Sequence, residues 1–233
     1  MKVTLLLPVL NEIQGVREIM PRINREWCDQ LLVVDGGSTD GTLEYFQERG
    51  YEVVTQRRPG LRFAYLDALP SIRGDVVITF SPEGNSLPEV IPALVARMRD
   101  GYDMVIVSRY TGGARSDDDD FMSGLANRVF TKTINLLFRA RYTDAMVMFR
   151  GYRRTLLEEL DLDKDRSYWP EEALFRKRVG LEPLLSIRAA KRRLRTADIP
   201  GSEPVRIGGR KKLHVQWGFA YIVEIGRELF FWR

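Results

Sequence analysis

The sequence predicts an α/β fold with a mostly parallel central sheet and helices on both faces. Three observations predict it. Short runs such as KVTLLLPV (2–9) and DVVITF (75–80) are apolar at nearly every position, as strands buried on both faces are. These runs alternate with helical patterns of about 10–15 residues. Polar residues then gather at the carboxyl ends of the runs, the rim where open α/β sheets bind ligands.

In chain order, strand 2–9 is followed by a helical pattern over 12–27, interrupted by Pro21. QLLVVD (30–35) is the second strand, and the helix over 38–50 opens at Ser38 or Thr39 as N-cap and closes at Gly50. Strand 51–56, helix 61–74, strand 75–80, helix 87–101 and strand 102–109 complete the regular half. Strand ends deliver Asn11-Glu12, Asp35-Gly36-Gly37-Ser38, Ser81-Pro82-Glu83 and Ser108-Arg109 to one rim. Beyond it, TGGARSDDDDFMSG (111–124) reads as a mobile, solvated loop, because adjacent aspartates repel one another and seldom converge on one ion. An amphipathic helix follows over 125–140, with Leu125, Val129, Ile134, Leu137 and Phe138 on one apolar face. TDAMVMFRGYRR (143–154) reads as a strand or a turn into a helix, 171–180 and 183–195 as helices, 196–200 as extended, and 215–233 as an apolar helix.

The 233 residues allow one substantial core. A single cysteine, Cys28, excludes an internal disulfide and fits a reducing compartment. The opening apolar run is too short for a signal peptide, and no stretch reaches 18 apolar residues. The net charge of +4 is uneven: between Arg188 and Lys212 nine Lys/Arg face only Asp198 and Glu203. That segment reads either as an anion-binding surface or as a solvated helix face. Its basic residues are not interleaved with stacking aromatics, which argues against nucleic acid. His214, the only histidine, precedes the apolar tail and reads as a surface or packing residue. The tail's Trp217, Phe219, Tyr221, Phe230, Phe231 and Trp232 are too many for one buried stripe. They pack on the domain, a membrane surface or a second copy.

Several segments together are distinctive: LLPVLNE (6–12), VVDGGSTDGT (33–42), SPEGN (81–85) after a strand, SRYTGG (108–113), TDAMVMFRGYRR and RIGGRKKL (206–213). Over about residues 1–213 the sequence resembles the inverting family 2 glycosyltransferases of GT-A fold, the dolichol-phosphate mannosyltransferase type in particular. It departs from that pattern at Gly36, Met148 and Lys211, and the family's D-x-D is here Ser81-Pro82-Glu83.

The resemblance implies a single domain over 1–233, with a nucleotide-sugar-binding half (1–110), an acceptor half (111–213) and a C-terminal apolar helix (214–233). It implies a UDP- or GDP-sugar donor held by Pro8, Leu10, Glu12, Asp35, Ser81, Pro82, Arg109, Arg206 and Lys212. It implies Mg²⁺ or Mn²⁺ on Glu83 and Asn85, hard oxygen donors that the diphosphate would complete. It implies as acceptor a polyprenyl phosphate, a polysaccharide precursor or a small molecule, and a chain that is cytoplasmic or peripheral at the inner membrane face. A hydroxyl acceptor would need a base, and Asp144 and Glu182, with Glu172 behind them, are the candidates. Asp144 reads equally as a helix cap or as an ion pair with Arg150 or Arg153. Ser81 also leaves open a non-catalytic nucleotide-sugar binder. A nucleotidyltransferase fits poorly, since PVLNEIQGVRE lacks the Gly-rich basic loop expected of one.

Overall fold

A computed structural model describes residues 1–176, 178–208 and 215–230, with side chains from 218 onward in the last segment. The first half is built as the alternation predicts. Its strands are β1 (Val3–Val9), β2 (Gln30–Asp35), β3 (Glu52–Thr55), β4 (Val76–Thr79) and β5 (Met104–Ser108). Its helices are α1 (Ile13–Ile19), α2 (Thr42–Glu48), α3 (Leu61–Ala68) and α4 (Ile91–Arg99). Pro21 ends the first helical stretch early, and short 3-10 turns carry the chain to Trp27. The rest comprises α5 (Phe121–Phe138), β6 (Arg150–Arg153), α6 (Leu156–Glu159), α7 (Glu171–Phe175), α8 (Glu182–Lys191), β7 (Thr196–Pro200) and α9 (Val215–Phe230).

The seven strands form one sheet in the order β3-β2-β1-β4-β6-β5-β7. All pairings are parallel except those of β6, which runs antiparallel between β4 and β5. Side chains along a strand alternate between faces, and here both faces are covered. Leu6, Leu32, Val34, Val77, Met104 and Ile106 pack towards α3, α8 and α9. Their neighbours Leu5, Leu7, Val33, Ile78, Val105 and Val107 pack towards α1 and α4. The chain reverses its progression across the sheet between β1 and β4, the position where ligands bind in such sheets. Register aligns Val9 with Asp35, Leu6 with Thr79 and Ser108 with Pro200, so the strand ends share one rim.

Several second-half expectations change. The stretch 143–154 takes the strand alternative, and only its direction, antiparallel, is new. There Gly151 lets α4 approach closely, since a Cβ would sit 3.1 Å from Met98. Helix α5 begins four residues before Leu125, because Asp120 accepts the Ser123 N–H at 2.7 Å and caps it. The helix expected over 171–180 is only α7. Arg188 is no part of a solvated basic face. It is buried, and its guanidinium meets the buried Glu228 of α9 at 2.8 Å. Among the described residues no helix is long and apolar enough to cross a membrane.

Glu224, also on α9, is buried with both carboxyl oxygens lacking a protein partner. Burial raises its pKa well above the ordinary carboxylate value, Arg227 opposes the rise, and Glu171 and Glu228 add to it. The fold therefore retains a proton that the unfolded chain releases above about pH 4.3, and stability falls as pH rises past that point. Glu224→Gln removes this penalty. The variant's thermal midpoint is expected to exceed the parent's at pH 8 and to match it at pH 4. An equal difference at both pH values would show that ionisation of Glu224 is not the cause.

Candidate active site

A cavity of about 680 Å³ opens at this rim. Pro8, Leu10, Glu12, Ser81, Glu83, Asn85, Arg109, Glu182 and Arg206 all line it, as expected from four strand ends and the later segments. Met146, Val147, Met148, Val179 and Tyr221 add an apolar wall. The β1 and β2 loops are stapled together. Asp40 accepts from the Thr42 hydroxyl at 2.6 Å and from the Ile13 N–H at 3.1 Å, which ties the start of α2 to the start of α1. Asp35 is buried and does not line the cavity. Its Oδ2 accepts the Gly37 and Ser38 N–H groups at 2.8 and 3.0 Å, while Oδ1 has no protein partner.

The turn after β4 is held from both sides. Its backbone packs against Gly15 of α1, where a Cβ would lie 2.5 Å from Pro82 O. The Ile207 N–H donates to Glu83 O at 2.7 Å. Gly84 takes φ +90°, a left-handed conformation suited to glycine, so SPEGN is a buttressed turn rather than plain punctuation. Pro82 shapes this turn but does not line the cavity.

Two guanidiniums organise the acidic groups of the site. Arg206 donates to Glu83 Oε2 at 2.7 Å and to Asp118 Oδ2 at 2.6 Å. Arg109 donates to Asp144 at 2.6 and 3.0 Å, to Glu203 at 3.1 Å and to Asp119 at 3.3 Å. The aspartate run therefore corrects the sequence reading. Asp118 and Asp119 turn inward to arginines and Asp120 caps α5, so cations and a helix end replace mutual repulsion.

Asp144 is corrected as well. It pairs with neither Arg150 nor Arg153, is fully buried, and lies outside the cavity. Both its oxygens are engaged, Oδ1 also accepting from Asn127 at 2.8 Å. Burial pushes its pKa up, but the Arg109 charge and hydrogen bonds hold it below the usual carboxylate range. A carboxylate so held positions Arg109 and is not available as a base. Glu182 does reach the cavity, where it accepts the Tyr65 hydroxyl at 2.8 Å.

Glu203 was not anticipated. It lines the cavity, contacts Arg109, Asn85 and Ser116, and burial lifts its pKa despite Arg109. It sits three residues past β7, so the same strand-end rule finds it once β7 is known to lie beside β5. Lys212, with Lys211 and His214, lies outside the described residues, as do the side chains of Trp217, Phe231 and Trp232.

The sequence matches the profile of Glycosyl transferase family 2 over residues 4–161, which is more than half of the chain. The chain belongs to this family. Its curated relatives include the undecaprenyl-phosphate 4-deoxy-4-formamido-L-arabinose transferase of Aeromonas hydrophila. That protein is 27% identical over 178 residues, covering 71% of this chain and 53% of its own length. The dolichol-phosphate mannosyltransferase of Pyrococcus furiosus is 26% identical over 237 residues, covering 97% of this chain and 63% of its own length. The chain thus spans between half and two thirds of these relatives. Among solved structures, glucosyl-3-phosphoglycerate synthase of Mycobacterium tuberculosis, in complex with Mn²⁺, UDP and phosphoglyceric acid, superposes with a TM-score of 0.68. It is 22% identical and covers 98% of this chain and 78% of that one. The same enzyme with Mg²⁺ and UDP also scores 0.68. The fold is accordingly the GT-A type of the family 2 transferases.

The turn after β4 offers oxygen donors to a divalent cation. Ser81 Oγ and Asn85 Oδ1 are buried without protein partners, and the Glu83 carboxylate stands between them in sequence. These are hard oxygen donors of the kind Mg²⁺ and Mn²⁺ take. No group of three or more His, Cys, Asp or Glu among the described residues could hold a metal. The turn therefore fits an ion that shares its coordination with a ligand's phosphates, not one caged by protein alone.

Proposed function

We propose that this family 2 chain is an inverting glycosyltransferase. It moves a sugar from a UDP- or GDP-linked donor to a polyprenyl phosphate, with Mg²⁺ or Mn²⁺ on Glu83 and Asn85. One observation carries the reading: Glu12, Glu83, Asn85, Arg109 and Arg206, from distant parts of the chain, line one cavity that also has an apolar wall. Glu12, which lines the cavity, suits a nucleoside's hydroxyl edges. A bound cation would offset the charge that develops on the departing diphosphate. Arg206 and Arg109 supply fixed positive charge beside it. An acceptor phosphate oxygen attacks the anomeric carbon as the bond to the diphosphate oxygen breaks, in line and with inversion.

A phosphate acceptor suits the carboxylates of this site. It is already anionic and needs no general base, whereas Asp144 is locked on Arg109 and Glu182 already accepts from Tyr65. The wall formed by Met146, Val147, Met148, Val179 and Tyr221 suits the first isoprene units. Peripheral contact with the cytoplasmic membrane face belongs to this reading. It is supported by exposed Phe121, Met122, Val129 and Leu136 on α5 and by Phe219, Ile222 and Phe230 on α9.

A thermal-shift series tests the reading. UDP- or GDP-sugar with Mn²⁺ at a hundred times its dissociation constant is expected to add about 2.7 kcal/mol of stability. The same sugars with EDTA are expected to add much less. Transfer is then followed to undecaprenyl phosphate and to a water-soluble phosphate. No shift with any donor would overturn the reading. A shift without turnover would favour a nucleotide-sugar binder, the reading that Ser81 in place of an aspartate supports.

A further inference from the structure

The carboxylate assigned to the metal already has a cation supplied by the protein. Arg206 Nη1 donates to Glu83 Oε2 at 2.7 Å, while its Nε and Nη2 donate to Asp118 Oδ2 at 3.1 and 2.6 Å. The segment carrying it is docked on the same turn. The Ile207 N–H bonds to Glu83 O at 2.7 Å, and the Ile207 side chain lies 2.6 Å from where a Cβ on Gly84 would sit. Arg206 is therefore a fixed counter-ion whose position is set by backbone and by two carboxylates. Only one carboxylate comes from the turn itself, because Ser81 stands where a second acid would add charge.

A divalent cation and a guanidinium cannot both draw fully on one carboxylate, since at a few ångströms their like charges repel strongly. We propose that Arg206 is the resident competitor of the metal at Glu83, so that the metal enters together with the nucleoside diphosphate rather than before it. The inference rests on the metal reading above. Glu83, Asp118 and Arg206 together carry one net negative charge, which opposes a diphosphate arriving without a cation, while Arg206 occupies the Glu83 carboxylate that a cation arriving alone would need. When Glu83 turns to the metal, Asp118 keeps its grip on Nε and Nη2. The released Nη1 stays at the cavity, where a phosphoryl oxygen replaces Glu83 as its acceptor. Metal and diphosphate then each strengthen the other's binding, and the coupling is reciprocal.

The test is Mn²⁺ titration of the metal-stripped protein, read from the paramagnetic resonance signal of free Mn²⁺, with and without UDP or GDP. Without nucleotide, Arg206→Gln is expected to bind Mn²⁺ about tenfold more tightly than the parent, within the usual range of such couplings. Arg206→Lys keeps the positive charge and is expected to stay near the parent, which separates charge competition from lost packing. Nucleotide is expected to tighten Mn²⁺ strongly in the parent and less in Arg206→Gln. Unchanged Mn²⁺ affinity in a folded Arg206→Gln protein would overturn the competition. If Glu83→Gln still lost the metal in that case, the proposed function would stand. If Glu83→Gln bound Mn²⁺ with nucleotide as the parent does, the metal assignment and this inference would fail together.

Discussion

Glu83→Gln is expected to lower kcat/KM for sugar transfer on the order of 10²–10³-fold, the scale seen when one preorganised electrostatic group is removed from a reaction centre. Glutamine keeps the shape of the side chain and removes its charge. The backbone of the turn stays where Gly15 and Ile207 hold it, and Arg206 keeps its bonds to Asp118. The Glu83–Arg206 pair is only partly buried, with side chains 24% and 19% exposed. Its loss is expected to cost about 0–1 kcal/mol of stability, as for other solvent-accessible pairs. Activity and stability should therefore separate: a large kinetic loss with a thermal midpoint within a few degrees of the parent. Activity within threefold of the parent would remove Glu83 from the reaction centre and leave Arg206 as the cation that matters.

The second large effect is on the fold. Arg188→Met is expected to destabilise the protein by about 3–5 kcal/mol, because it takes from a buried carboxylate the more deeply buried of its two arginine partners. Arg188 and Glu228 have side chains only 3% and 0% exposed and meet at 2.8 Å. The same guanidinium donates to Leu160 O at 2.6 Å and to Ser167 Oγ at 2.9 Å, so it joins the end of α6 and the 3-10 turn beyond it to α9. Urea unfolding measures the loss. The double variant Arg188→Met/Glu228→Leu, which removes both charges, is expected to recover much of it, giving a strong coupling in the cycle. Tyr221 of α9 lines the cavity, so loosening this helix should also raise KM for the acceptor more than for the donor. A loss below 1 kcal/mol in the single variant would mean that Arg227, 3.0 Å from Glu228, is a sufficient counter-charge.

Much of the site was legible because its first half is encoded locally. Short continuous apolar runs that alternate with helical patterns read as strands covered on both faces, and in a parallel sheet their carboxyl ends share a rim. Glu12, Ser81, Glu83 and Arg109 stand at those ends, whereas Asn85 entered through the resemblance to the family 2 transferases. Their convergence depends on register, and register depends on burying each alternate side chain in the correct layer. The second half resisted the same treatment. The strand at 150–153 carries two arginines around a glycine and a tyrosine. It is a central strand because the buried Arg150 guanidinium donates to Ser186 Oγ at 2.9 Å and to Ala145 O at 3.1 Å.

The sequence by itself determined the alternation of strands and helices, the rim and the family. The pairing of its charges was decided only in three dimensions. Asp118 meets an arginine 88 residues away, Arg109 meets Glu203 across 94, and Glu83 meets Arg206 across 123. No local pattern encodes such a pairing. A carboxylate in a chain listing is a base, a metal ligand or a counter-ion according to which loop returns beside it, and burial then fixes the choice by making an unpaired charge too costly to keep.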